Sequence, residues 1–318
     1  MMSTEYAPAA TPGRSKSARS KPVSSKQGRK KHRRLSVEPI YWFFLLPTLI
    51  LITLVITVPA IVGFFFGLTN YIGVGEWDFI GLANYKTLFA DPAIRQSYFF
   101  TLGFSLVTVI IVNIISFLLA VGLTAKIKFK VTLRAVFVLP MVISGIIIAY
   151  VFNFLFSTTL PNVGQVLGIS WLEQSILSDP NWAWLAVVIV TAWQSMPTML
   201  LIYIAGLLSI PTDVYEAAAI DGASRWQQMM RITLPLVFGY VVINIVIGFK
   251  NYLNSYDIIV GLTGGGPGTA TRSVALTIIT GFFGGDYAYQ MANATIFFIL
   301  AIALAILQLS LTRGRNAI

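Results

Sequence analysis

Glu216-Ala217-Ala218-Ala219-Ile220-Asp221-Gly222, followed by Ile232-Thr233-Leu234-Pro235, is the stretch on which the reading of this chain turns. It is a short, polar, Ala-rich segment between two long apolar runs. Within residues 209–235, Ser209 or Thr212 can cap a helix, and Pro211 fits a first turn, where its missing N–H costs nothing. Asp213 and Glu216 then lie near the positive end of the helix dipole. The alanines favour helix and present small side chains. Gly222 is where that helix should end, because glycine accepts left-handed geometry without a Cβ penalty. A second short helix, about 224–233, would present Trp226, Met229, Met230 and Ile232, and Pro235 would break the chain before the next apolar run. Such a hairpin offers a soluble partner a small, close-fitting surface. The alternative is an amphipathic pair lying in the lipid interface.

The rest of the chain is membrane-like. Hydrophobic residues make up 56% of it and charged residues only 11%, against about 25% charged in soluble domains. A span needs about 20 apolar residues, and six runs qualify, at roughly 40–68, 98–125, 135–156, 183–208, 236–260 and 289–311. The expected fold is all-α, a polytopic bundle of six transmembrane helices. Lys and Arg set its orientation. Arg14 to Arg34, the loop after the second run, the Glu216 segment and the C-terminus hold 18 of the 22 basic residues. Both termini and the Glu216 segment are therefore expected in the cytoplasm. The net charge of +10 serves topology and is no nucleic-acid signature. Residues 1–36 are too polar for a core and read as a disordered basic cytoplasmic tail, with residues 37–318 as the transmembrane domain.

Catalytic chemistry is hard to find. The chain has one histidine, His32, in the tail, and no cysteine, so no zinc, haem or thiolate site is expected. No Gly-Lys dipeptide supports a phosphate-binding loop, and Gly264-Gly265-Gly266-Pro267-Gly268 reads as a turn between spans. The runs are nearly free of charge. Only Lys250 and Asp257, in or near the fifth, stand out, and seven residues of helix would put both on one face. They read either as a snorkelling pair near the outer interface or as a ligand or gating contact. A driving force would then come from outside the chain.

The spacing E-A-A-x3-G-x9-I-x-L-P resembles the cytoplasmic coupling loop of ABC importer permeases, and it precedes the penultimate span as in that family. Over about residues 40–312 the chain resembles the binding-protein-dependent sugar permeases, of the type of the larger maltose-system permease. Phe79-Ile80-Gly81-Leu82-Ala83-Asn84-Tyr85 follows the F-x-G-L-x-N-Y pattern of their first outer loop. Leu139-Pro140 opens the third run, and Leu262-Thr263-Gly264-Gly265-Gly266-Pro267 resembles their L-T-x-G-G-P. The resemblance implies a type I ABC importer permease fold and no enzyme activity in this chain. It implies a second homologous permease, two ATPase subunits that bind the ATP, and an extracytoplasmic solute-binding protein. Glu216, Ala217, Ala218, Asp221 and Gly222 would couple to the ATPase.

The resemblance also implies a carbohydrate cavity lined by spans 3, 4 and 5. Thr191, Gln194, Ser195 and Thr198 share one helix face by their spacing, Asn251, Tyr252, Asn254 and Ser255 follow on span 5, and Met141 and Gly145 complete the group. Amides and hydroxyls beside aromatic rings suit a neutral polyhydroxy ligand. The same groups could instead hold helices together. A polyol, glycerol phosphoester or amino acid cargo, or a secondary carrier, stays open at this stage.

Overall fold

The computed structural model describes residues 39–125 and 127–313; the basic tail expected over residues 1–36 lies outside them. The chain divides at Ile52 into two units. Of the first, the described part is helix α1, Pro39–Ile52. The second contains α2 (Val58–Phe66), α3 (Ala83–Ala90), α4 (Pro92–Thr124), α5 (Lys130–Val138), α6 (Gly145–Phe154) and α7 (Leu160–Leu167). It continues through α8 (Ala183–Leu208), α9 (Thr212–Ile220), α10 (Arg225–Gln228), α11 (Leu234–Leu253), α12 (Asp257–Leu262), α13 (Val274–Phe283) and α14 (Tyr287–Arg313).

Six helical stretches among the described residues are long and apolar enough to cross a membrane. They are Trp42–Phe66, Pro92–Thr124, Gly145–Leu167, Ala183–Leu208, Arg225–Leu253 and Tyr287–Gln308. The expected all-α architecture with six spans is the observed one, and the chain is a multi-pass membrane protein. Two boundaries are corrected. The third apolar run is not one continuous helix from residue 135. Leu139–Val142 is a tight 3-10 turn, and Ile143 and Ser144 are extended before α6 starts. Pro140 cannot supply the N–H that would carry α5 onward, and apolar periodicity does not register such a break. Nor does Pro235 break the chain before the fifth span, where helix runs unbroken from Arg225 to Leu253.

The reason is a widened turn. Thr53–Thr57, Leu155–Thr159 and Met229–Thr233 are π-helical. Each ends two residues before a proline, in Thr57-Val58-Pro59, Thr159-Leu160-Pro161 and Thr233-Leu234-Pro235. A proline ring collides with the carbonyl four residues back. In all three cases that carbonyl belongs to the π turn, where the wider spiral carries it aside.

The core forms where α4, α8 and α11 meet, with Val112, Val187, Val190, Leu200 and Val237 fully enclosed. Here α4 presents buried Ser97, Thr101, Ser105, Thr108 and Ser116, small residues of the kind that let membrane helices approach closely. Thr101 and Ser105 return their hydroxyls to carbonyls one turn back, at 2.7 and 2.6 Å. Cross-links join the three helices. Tyr203 Oη donates to Asn113 Oδ1 at 2.6 Å, Ser116 Oγ to the Met196 carbonyl at 3.2 Å, and Asn244 Nδ2 to the Met199 carbonyl at 3.2 Å.

The outer-loop motif also has a structural account. Asn84 Nδ2 donates to the carbonyls of Gly67 and Thr69 at 2.9 and 2.8 Å, drawing the loop onto the end of α2. Gly81 turns the chain at φ +61°. Beyond the glycine-rich turn, the apolar helix α13 was not anticipated; ten residues are too few to span.

Candidate functional site

Two places gather the residues singled out above. The first is the hairpin of α9 and α10. Pro211, extended at φ −61° and ψ 139°, is the residue before α9, and neither Ser209 nor Thr212 caps it. Ser209 Oγ instead donates to the Gly206 carbonyl at 2.8 Å, so neither expected cap forms, and the proline expected in the first turn stands just before it. At the other end, Gly222 takes φ +80°. The Ala223 N–H reaches the Ala218 carbonyl at 2.9 Å and the Gly222 N–H reaches that of Ala219 at 3.1 Å. This pair of bonds is the Schellman closure, and it satisfies carbonyls that a helix end otherwise leaves open.

The second helix opens with equal closure. Gln227 N–H donates to Ser224 Oγ at 3.3 Å while Ser224 N–H donates to Gln227 Oε1 at 2.7 Å, a reciprocal capping box. A hydroxyl pair, Tyr215 Oη and Thr233 Oγ1 at 2.9 Å, ties α9 to the base of the fifth span. Ile210, buried, anchors the hairpin in the apolar cluster with Leu200, Tyr203 and Val237. Outward, the segment is bare. Glu216, Ala217, Asp221 and Gly222 are exposed, Ala218 is half-buried, and Ile220 and Trp226 are 86% and 69% exposed. A capped helix with small residues, exposed carboxylates at Glu216 and Asp221 and uncovered apolar side chains is suited to seating in a groove.

The second place is the middle of α8. A methyl group on Gly145 would come within 3.1 Å of Gln194 Nε2, 3.4 Å of its Oε1 and 3.7 Å of Asp257 Cβ. Gln194 also donates to the Ile143 carbonyl at 3.4 Å. Gly145, Gln194 and Asp257 are thus brought together. Ser195 Oγ and Tyr252 Oη, 2.8 Å apart, form a separate link between α8 and α11. Tyr252 is buried, and the Thr191 hydroxyl is buried without a hydrogen-bond partner among the described residues. Thr198 is half-buried, and Met141, at 53% exposure, stands in the turn before α6. Asn251 and Asn254 are exposed, the latter donating to the Lys250 carbonyl at 2.9 Å, and half-buried Ser255 gives its carbonyl to Ser273 Oγ at 3.1 Å.

Lys250 and Asp257 do not share a helix face. α11 ends at Leu253, α12 begins at Asp257, and residues 254–256 between them are not helical. No ion pair joins the two among the described residues, and no cluster there could hold a metal ion. The placement of Asp257 beside Gly145 escaped sequence reasoning because only the break in span 5 turns it toward span 3.

Comparison with known proteins agrees with this architecture. Residues 113–317 match the family described as binding-protein-dependent transport system inner membrane component. The chain is 34% identical over 277 residues to the probable starch degradation products transport system permease AmyD of Thermoanaerobacterium thermosulfurigenes, covering 87% of this chain and 94% of that one. It is 35% identical over 274 residues to the multiple sugar-binding transport system permease MsmF of Streptococcus mutans, covering 86% and 94%. Among solved structures, a bacterial ABC transporter involved in the import of the acidic polysaccharide alginate superposes with a TM-score of 0.75 at 22% identity, covering 87% of this chain and 96% of that one. The chain belongs to the family of binding-protein-dependent transport system inner membrane components and has the type I ABC importer permease fold.

Proposed function

We propose that this chain is a permease subunit of an ATP-driven importer that carries a neutral sugar or oligosaccharide across the cytoplasmic membrane. One observation carries the reading: relatives that match 86–87% of it, at about a third identity, are named as permeases of starch-product and multiple-sugar transport. The near absence of charge in the spans suits an uncharged cargo and supports a driving force supplied by partners. Those partners are a second homologous permease, two ATPase subunits that bind the ATP, and an extracytoplasmic solute-binding protein. The chain itself catalyses nothing. Its Lys and Arg distribution supports cytoplasmic termini and a cytoplasmic hairpin.

In this reading α9 is the coupling element. ATP-driven closure of the ATPase pair moves a groove that holds Glu216, Ala217 and Ala218. The Schellman closure at Gly222 and the Tyr215–Thr233 link pass that displacement to the fifth span without bending.

The test is uptake by the assembled system. Purification in mild detergent should bring down a second permease and an ATPase, identified by mass spectrometry. Glu216→Lys combined with Gly222→Val should then abolish uptake while the chain still reaches the membrane. Normal uptake in that double variant would remove the coupling assignment, and recovery of the chain alone would remove the importer reading.

A further inference from the structure

We propose that Asp257, together with Gln194, directly contacts the transported saccharide at mid-membrane depth, its carboxylate accepting hydrogen bonds from sugar hydroxyls. This rests on the sugar-permease reading above and adds a residue that neither the coupling segment nor the hydroxyl and amide lining includes.

The depth follows from helix geometry. Gln194 is the twelfth residue of α8, so at 1.5 Å per residue it lies about 16 Å from one end of that helix and about 21 Å from the other. A hydrocarbon core of about 30 Å therefore has Gln194 near its middle. The hypothetical methyl at Gly145 meets both Gln194 and Asp257, so Asp257 shares that depth. The arrangement needs two breaks. α6 begins at Gly145, after the extended pair Ile143–Ser144, and α11 stops at Leu253, leaving Asp257 to start α12. Behind Asp257, α12 packs tightly on α6, with Gly261 facing the Ala149 methyl.

A carboxylate in this position needs a partner. Bare, it is costly in hydrocarbon, and ionisable groups at such depth face cavities and serve the transported species. Asp257 is exposed, and its carboxylate has neither a hydrogen bond nor an ion pair among the described residues. Lys250, the nearest cation in sequence, is also exposed and forms no ion pair there. A carboxylate offers acceptors only, whereas the Gln194 amide offers both donors and an acceptor. Adjacent hydroxyls of a pyranose supply the two O–H donors the carboxylate lacks, and charge-assisted bonds of that kind are stronger than neutral ones.

The experiment separates ligand contact from structural support by changing the ligand as well as the residue. Cells carrying the complete system are offered labelled maltose, maltotriose, trehalose and raffinose, and the transported sugar is compared with its monodeoxy derivatives. Uptake is normalised to assembled complex. Asp257→Asn is expected to lower uptake of the parent sugar about tenfold or more, the worth of a charged hydrogen bond. For the derivative lacking the bonded hydroxyl, the same substitution should cost less than about twofold, because that bond is already missing. Asp257→Glu, which keeps the charge, should restore part of the discrimination. The binding protein is common to all variants, so its own preference cancels in the ratio. Equal loss for the parent and every derivative, or no loss for any, would overturn the proposal while leaving the permease reading intact. Failure of the unaltered system to take up any of the four sugars would remove the neutral-sugar reading, and this proposal with it.

Discussion

Gly145 has a steric environment that is unusually easy to test. A methyl there would stand 3.1 Å from the Gln194 amide, so the bulkier side chain of Gly145→Val is expected to displace that amide from its bond to the Ile143 carbonyl. Loss of one oriented amide is worth about tenfold in ligand handling. We expect uptake to fall by that factor with recovery of the complex unchanged, read by transport assay beside a pull-down. Gly145 and Gln194 were expected beside a cavity because the family resemblance implies one lined by spans 3, 4 and 5. The sequence pattern could not show that Asp257 joins them, because the covalent distance from Lys250 to Asp257 looks the same whether the intervening residues are helical or not. Asn84 was legible in the opposite way. It was recognised as one letter of a motif, and its two carbonyl bonds at 2.9 and 2.8 Å supply the reason for the letter.

Among the elements, the hairpin of α9 and α10 came through most clearly from residue chemistry. Gly222 takes the left-handed turn that an Ala-rich helix followed by glycine suggests. What was misread is how it joins the fifth span. Pro235 looked like a terminator, yet the π turn Met229–Thr233 absorbs it, and the same Thr-x-Pro sequence follows the other two π turns. A proline preceded by threonine at that spacing marks a widened spiral in this molecule and not an end. The hairpin's stiffness then depends on few bonds. Tyr215→Phe removes the hydroxyl link to Thr233 at 2.9 Å and leaves the ring in place. We expect that variant to assemble normally but to import less sugar per ATP hydrolysed, by about twofold to fivefold for a net loss near 0.5–1 kcal/mol. The measurement is the ratio of uptake to hydrolysis in proteoliposomes; an unchanged ratio would mean the link is not in the transmission path.

At the scale of the whole molecule, six spans and their order were readable because hydrocarbon thickness demands a length that few other segments attain. The broken third span, the short α12 and the apolar α13 were not readable, since each is too short for a length criterion and too apolar for a polar one. Orientation is a whole-molecule property too, and it yields a direct prediction. Alkaline phosphatase, active only outside the cytoplasm, should be inactive when fused after Gly222 and active when fused after Gly268. The reverse pattern would invert the topology read from the 18 clustered basic residues.

The self-contained ends of the α9–α10 hairpin have a consequence for inheritance. At its turn, the carbonyls that end α9 and the amides that open α10 are closed by the segment's own Schellman bonds and capping box, so the turn borrows nothing from the bilayer-embedded helices, to which the hairpin is anchored at Ile210 and Thr233. On the reading proposed above, substitutions near Gln194 and Asp257 would shift cargo preference without disturbing the surface that meets the motor. A duplicated copy of this permease would then take on a new nutrient while sharing the proposed ATPase partner of its parent.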